Sequence, residues 1–203
     1  MTTVYTIGHS THDIEEFLSL LTKSGVTAVA DVRSAPYSRR LPQFNREALR
    51  VSLNAHNIAY VFLGVELGGR GSDESMQDEC GRVKYSRIAE SSAFTEGLER
   101  IRTGSERMTV ALMCAEKDPL YCHRGILISR QLVARGMLVV HIHADGQTEA
   151  HRRAEDRLLR LVGLREPDLF RSDEQILADA YERQEARIAY VTSADQSRHR
   201  ALR

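Results

Sequence analysis

Val26-Thr27-Ala28-Val29-Ala30-Asp31-Val32 is β-branched and apolar on both faces before it gives way to the polar stretch Arg33 to Gln43. A strand with helices over both sides reads this way, so the segment predicts a central strand of a parallel sheet. Working back, Val4 to Gly8 reads as an earlier strand. His9-Ser10-Thr11-His12-Asp13 then supplies hydroxyls and a carboxylate suited to capping a helix over Ile14 to Lys23. Its apolar positions Ile14, Phe17, Leu18 and Leu21 keep the helical three-four spacing, and Gly25 stops it. Working forward, Arg46 to Asn57 predicts a second helix and Ala59 to Leu63 a third strand. Gly64 to Gly81 is rich in glycine and charge without apolar period, and it reads as a functional or disordered loop. Helix signals resume from Tyr85 to Arg102, with a break near Ser91-Ser92.

The fourth strand, Thr109 to Cys114, leads towards a helix from Arg124 to Ala134, and Leu138 to His143 makes a fifth strand. This alternation predicts an α/β fold: a three-layer α/β/α domain with a mostly parallel sheet of about five strands, plus C-terminal helices. Residues 1–146 form the α/β domain. Residues 147–203 are arginine-rich, with helices at Ala154 to Leu161 and Glu174 to Tyr190 around a break at Gly163 and Pro167, and form a helical extension packed on or beside it. Mixed-sign charge along these helices predicts a solvated cover in preference to a binding arm.

The chain of 203 residues carries 28 basic and 28 acidic side chains, so no global positive field recruits nucleic acid. Any anionic partner must meet a local arginine patch. The three cysteines, Cys80, Cys114 and Cys122, form no paired framework, and the N-terminus has neither a basic n-region nor an apolar h-region. No apolar run approaches the ~20 residues of a membrane span. A soluble, reducing, cytoplasmic protein with no membrane partner is expected.

Met113 to Arg124 concentrates the reactive side chains where the fourth strand meets the next helix, and ligands of open α/β sheets sit outside the carboxyl ends of strands. Cys122 precedes a helix whose first turn holds His123 and Arg124, a setting that lowers a thiol pKa from ~8.5 into the range ~3.5 to 7.5. That would make it a nucleophile. The alternative is that Cys122 and Cys114 are small hydrophobes packed at the junction. A phosphatase-type loop or rhodanese-type sulfur transfer is disfavoured, because Glu116 and Asp118 would repel an oxyanion held after Cys114. Metal binding by Cys114, Cys122, His123, His141 and His143 is weakly signalled, since no Cys-x2-Cys or His-x3-His pair exists. Neither a metal nor another cofactor is expected.

Glu116 and Asp31 lie at or just after strand ends, where a carboxylate can serve as general acid, general base or nucleophile, or simply bind an arginine. Arg33, Arg39, Arg40, Arg70 and Arg124 would ring the crevice with planar donors suited to phosphate or carboxylate, if the sheet order brings them together. Free amides and hydroxyls at His9-Ser10-Thr11 would favour the same anion. Gly68-Gly69-Arg70 could bring backbone close to a ligand, although it lacks a full nucleotide-binding fingerprint.

Thr6-Ile7-Gly8-His9-Ser10, the run Asp31 to Arg39, Gln43-Phe44-Asn45, Leu67-Gly68-Gly69-Arg70, the run Cys114 to Pro119, Cys122-His123-Arg124 and His141-Ile142 together resemble the domain of unknown function 488 family. The resemblance runs from about Thr6 to Gly146; it implies a single α/β domain and supplies no reaction. The residues themselves point to a hydrolase or transferase acting on a phosphate-bearing small molecule, nucleotide or nucleic-acid end. Arg33, Arg39, Arg70 and Arg124 would hold the anion, with Ser10, Ser34 and His123 beside them, while Glu116 or Asp31 handles protons. One alternative makes Cys122 or Cys114 the nucleophile, with His123 or His9 as its base and Arg124 lowering the thiol pKa. Another is a non-enzymatic nucleic-acid or protein-binding module whose arginine rim reads phosphates.

Overall fold

Val110-Ala111-Leu112-Met113-Cys114 is buried along its whole length, because alternate residues of this strand serve two separate cores. Ala111 and Met113 face one cluster, and Val110, Leu112 and Cys114 face the other. In the computed structural model, which describes residues 2–164 and 170–192, this strand lies inside a six-stranded sheet. The strands are β1 (Thr3–Gly8), β2 (Ala28–Asp31), β3 (Ala59–Phe62), β4 (Val110–Cys114), β5 (Leu138–Ile142) and β6 (Thr148–Ala150), in the order β3-β2-β4-β1-β5-β6. The first five run parallel, and β6 adds an antiparallel edge.

Helices α1 (Ile14–Lys23) and α2 (Arg46–Ala55) cover one face, where Phe17, Leu21, Leu49 and Leu53 meet Ile7, Val29 and Met113. Asp13 caps α1 by accepting a 2.7 Å hydrogen bond from the Glu16 amide, which meets an otherwise orphaned donor. The other face is covered by α3 (Gly64–Leu67), α4 (Tyr85–Ala89), α5 (Ser92–Gly104), α6 (Arg130–Ala134), α7 (His151–Leu161) and α8 (Asp173–Ile188). Leu67, Ile88, Phe94, Leu98, Leu132, Leu158 and Tyr181 from these helices pack with Val4, Ala30 and Leu112 of the sheet. The chain is therefore a three-layer α/β/α fold. No helix among the described residues is long and apolar enough to cross a membrane.

Three details depart from the expected elements. Gly64 to Gly81 is not structureless, since it contains α3 and a 3-10 turn at Glu74–Met76. The helix expected from Arg124 is π-helical over Arg124–Ser129 before it becomes α6, and Ser129 Oγ donates to the Arg124 carbonyl at 2.6 Å. Such wide turns recur at functional sites. Thirdly, the sheet has six strands where about five were expected, the addition being the short edge β6; α7 and α8 send Ala154, Leu158, Ala180 and Tyr181 into the core, and Pro167 lies outside the described residues.

A buried hydrogen-bond chain ties these two helices to the sheet. Thr6 Oγ1 is 2.7 Å from His141 Nδ1, His141 Nε2 is 2.9 Å from His151 Nδ1, and His151 Nε2 is 2.8 Å from the Tyr181 hydroxyl. Tyr181 in turn donates to Glu155 at 2.9 Å.

The topology also makes a crevice. From β1 the chain leaves through α1 over one face, and from β4 it leaves through the π-turn and α6 over the other. Adjacent strands β1 and β4 thus part company at their carboxyl ends, which is where ligands enter such sheets.

Candidate active site

The loop after β4 is held down on the end of β1. The amides of His9 and Ser10 donate to the carbonyls of Cys114 and Ala115, both at 2.9 Å. Gly8 permits that approach: a Cβ there would lie 1.9 Å from the Glu116 carbonyl oxygen. Arg124, fully buried, donates from Nη1 to the Glu116 carbonyl at 2.6 Å and from Nη2 to the Lys117 carbonyl at 3.0 Å. Asp118 accepts from the Leu120 amide at 2.8 Å and pairs with Arg157 of α7, which also grips Glu149. The loop therefore returns the chain so that Cys122 comes back beside Cys114.

Four reactive groups meet as a result. Glu116 Oε2 is 3.0 Å from Cys114 Sγ and 3.0 Å from Cys122 Sγ. His123 Nδ1 stands 3.8 Å from each sulfur, and its other nitrogen, Nε2, is 3.0 Å from the Val32 carbonyl at the end of β2. That carbonyl can only accept, so it fixes the Nε2–H tautomer and leaves the Nδ1 lone pair aimed at the sulfurs. Gly69 abuts the imidazole, with no space for a Cβ, which would be 2.6 Å from the ring. The two cysteines are buried, whereas Glu116 is an exposed residue whose carboxyl end reaches down to them.

Charge is distributed unevenly over this group. Cys114 is held protonated, first by its hydrogen-bond partnership with Cys122 and then by burial. Burial also opposes ionisation of Cys122, but Cys114, the Arg124 guanidinium and His123 outweigh it and set that thiol well below the usual cysteine range. Burial and the adjacent Cys122 sulfur raise the Glu116 carboxyl. For His123, burial pushes downward, and Cys122 with Glu116 pulls the imidazole upward by more.

The cluster floors a pocket of about 230 Å³, whose walls include Arg33, Ser34, Gly69, Arg70, Tyr121 and Tyr190. A larger hollow of about 720 Å³ between α4 and α8 has no cysteine or histidine in its lining, so the thiol and imidazole groups belong to the smaller one.

Of the residues read from the sequence, Glu116, Cys122, His123, Arg33, Ser34 and Arg70 share this pocket. Asp31 does not. It is fully buried, held by Arg33 at 2.6 and 2.9 Å and by the Tyr60 hydroxyl at 2.8 Å. Arg33 also donates to the Phe44 carbonyl and to His9 Nε2, so most of its donors are spent inside the protein. His9 stacks on Phe44 with ring centroids 4.3 Å apart, and burial followed by the Arg33 guanidinium lowers its pKa to about 4. Arg124 supports the loop from below, Arg39 is exposed away from the pocket lining, and the Ser10 amide is engaged by Ala115. The expected ring of free arginines thus shrinks to Arg70, whose guanidinium lies over the Tyr190 ring at 5.0 Å. His141 and His143 neither line the pocket nor join the thiols, and His143 pairs with Glu149 at 3.0 Å.

A family model described as Domain of unknown function DUF488 matches residues 13–131, more than half of the chain. The chain belongs to that family. A search of curated proteins and a search of solved structures return no match. The DUF488 match takes in the whole floor, Cys114, Glu116, Cys122 and His123, but stops before Ile188 and Tyr190, which complete the wall. Those two residues and Tyr85 and Tyr121 were not signalled by the sequence. Tyr190 reaches the site because its carbonyl accepts from the Val83 amide at 2.9 Å, a pairing no local pattern announces.

Proposed function

We propose that this DUF488 protein is a hydrolase or transferase that acts on a small phosphate-bearing molecule, or on a protruding nucleotide or nucleic-acid end, with Glu116 handling the proton. One observation carries the reading: a solvent-reaching carboxyl sits 3.0 Å from each of two buried sulfurs at the floor of a strand-end pocket. An ionisable group in such a setting has its proton affinity set by its neighbours, as acid–base catalysis requires. Arg70 at the rim, with the remaining Arg33 donor, supplies positive charge for the anion. About 230 Å³ falls below the ~300 to 1,000 Å³ of ordinary ligand clefts, which favours a small substrate or a terminal group over a duplex.

The test is a panel of nucleoside phosphates, sugar phosphates and phosphate-terminated oligonucleotides, with products separated by chromatography. Turnover should fall about 10²- to 10⁴-fold in Glu116→Gln and persist in Glu79→Gln, a change at an exposed acid elsewhere. Equal rates for Glu116→Gln and the parent protein sink the assignment.

A second reading makes Cys122 the nucleophile. It is favoured by the imidazole of His123 at 3.8 Å and by the Arg124 amide, which donates to the sulfur at 3.5 Å as a π-turn begins. Activity surviving Cys122→Ser excludes it. The binding-module reading has less support, because Arg33 and Arg124 direct their donors inward.

A further inference from the structure

We infer that Cys114, Cys122 and His123 form a binding site for a soft divalent cation, zinc above all, with Glu116 beside the two sulfurs. The three donor atoms lie within 4.8 Å of one another. Around a tetrahedral zinc with Zn–S of about 2.3 Å and Zn–N of about 2.0 to 2.1 Å, neighbouring donors are separated by about 3.5 to 3.8 Å. Here His123 Nδ1 is 3.8 Å from both sulfurs, which is that spacing, while Glu116 Oε2, 3.0 Å from both, stands beside the sulfurs and outside the group of three.

The surroundings point the same way. A ligating histidine almost always donates its other ring N–H to a carbonyl or carboxylate, which orients the ring and fixes the tautomer. His123 does so, through Nε2 to Val32 at 3.0 Å, with Gly69 against the ring to hold its plane. Cys122 Sγ accepts from the Arg124 amide at 3.5 Å, as a thiolate ligand would. Two thiolates and a carboxylate would leave a divalent site with one excess negative charge, and Arg124, fully buried in the same loop, carries the balancing positive charge. Thiolate with imidazole is also the donor set that selects zinc over magnesium or calcium.

The spacing escapes the usual knuckle pattern because one ligand closes a strand and two consecutive ligands open a π-turn. The inference concerns what the cluster holds, and it stands whether or not the pocket turns over a substrate. If the enzyme reading also holds, three protein ligands and a fourth corner for water or substrate make the layout of a catalytic zinc site rather than a closed structural one.

The experiment uses the full chain, reduced and free of any histidine tag. Metal content is measured by plasma mass spectrometry, and metal-free protein is titrated with cobalt(II). The expected result is about one equivalent per chain, with the intense visible absorption of tetrahedral cobalt and a sulfur-to-cobalt charge-transfer band in the near ultraviolet. Cys114→Ser and Cys122→Ser should each weaken that band and lower affinity at least 10-fold, while Cys80→Ser, an exposed cysteine outside the cluster, keeps both. Folded parent protein that takes up no cobalt, or that binds it without the charge-transfer band, overturns the inference. So does uptake indifferent to both cysteine changes. None of these readouts needs a substrate, so a protein that binds the metal but turns over nothing counts against the enzyme reading alone.

Discussion

Gly8 and Glu116 meet backbone to backbone: a single added carbon on Gly8 would lie 1.9 Å from the Glu116 carbonyl oxygen and 3.1 Å from Arg124 Nη2. The position of the reactive loop is thus set from the end of a neighbouring strand. Gly8→Ala must move the loop or the strand, since the opposing atom is backbone. Overpacking of this kind costs about 1 to 3 kcal/mol. The expected outcome is a lower denaturant midpoint together with faster alkylation of Cys114 and Cys122, read by mass spectrometry. A variant with unchanged alkylation rates would mean that the contact does not hold the loop.

Asp31 and Arg33 form a buried pair, so Asp31→Asn leaves a buried guanidinium uncompensated. Breaking one half of a buried pair costs about 3 to 5 kcal/mol. Calorimetry should show that loss of stability. Any residual folded protein should retain its cobalt spectrum, because Asp31 does not line the pocket. A stable Asp31→Asn protein would instead return Asp31 to the list of functional acids.

Stability should fall in mild acid through the histidine chain. Burial lowers the His151 pKa from 6.5 to about 4 and depresses His141 as well, so both are neutral when folded. The unfolded chain binds more protons between these values, and stability therefore rises with pH across that window. It is fully present above about pH 6.5 and is lost as pH falls towards 4, by about 3 kcal/mol for His151 at 1.36 kcal/mol per unit. Urea titrations at intervals from pH 7 to pH 4 should show a shallower slope for His151→Gln than for the parent. Parallel slopes would count against this account.

Gln184 of α8 is fully buried and donates to the Leu120 carbonyl at 2.8 Å, inside the loop that carries Cys122. Gln184→Ala leaves that carbonyl unpaired, at a cost of about 1 to 3 kcal/mol. Hydrogen exchange should quicken at Tyr121 to Arg124 before it changes in β1. Uniform exchange across the chain would argue that α8 does not support the loop.

The layered fold was legible because β2 and β4 are too apolar for any other place, because Asp13 announces a helix start that the structure confirms, and because the break read near Ser91-Ser92 is where α5 begins. The edge strand β6 was not legible, since three residues, Thr148, Glu149 and Ala150, carry no usable alternation. At the site, the sequence identified which residue types stood at strand ends but not where each side chain turned. Arg33 and Asp31 looked like clamp and catalyst, yet two residues apart they satisfy each other. Cys114 and Cys122 looked unrelated by spacing, since only the folding back of the loop under Arg124 brings them to one carboxylate.

The wall contributed by Ile188 and Tyr190 lies beyond the family-matched stretch, while the floor lies within it. Residues 13–131 hold both thiols but lack that side of the enclosure around them. Chains that share this core but end differently would then carry the same chemistry behind different doors. What each one admits would be decided by its tail.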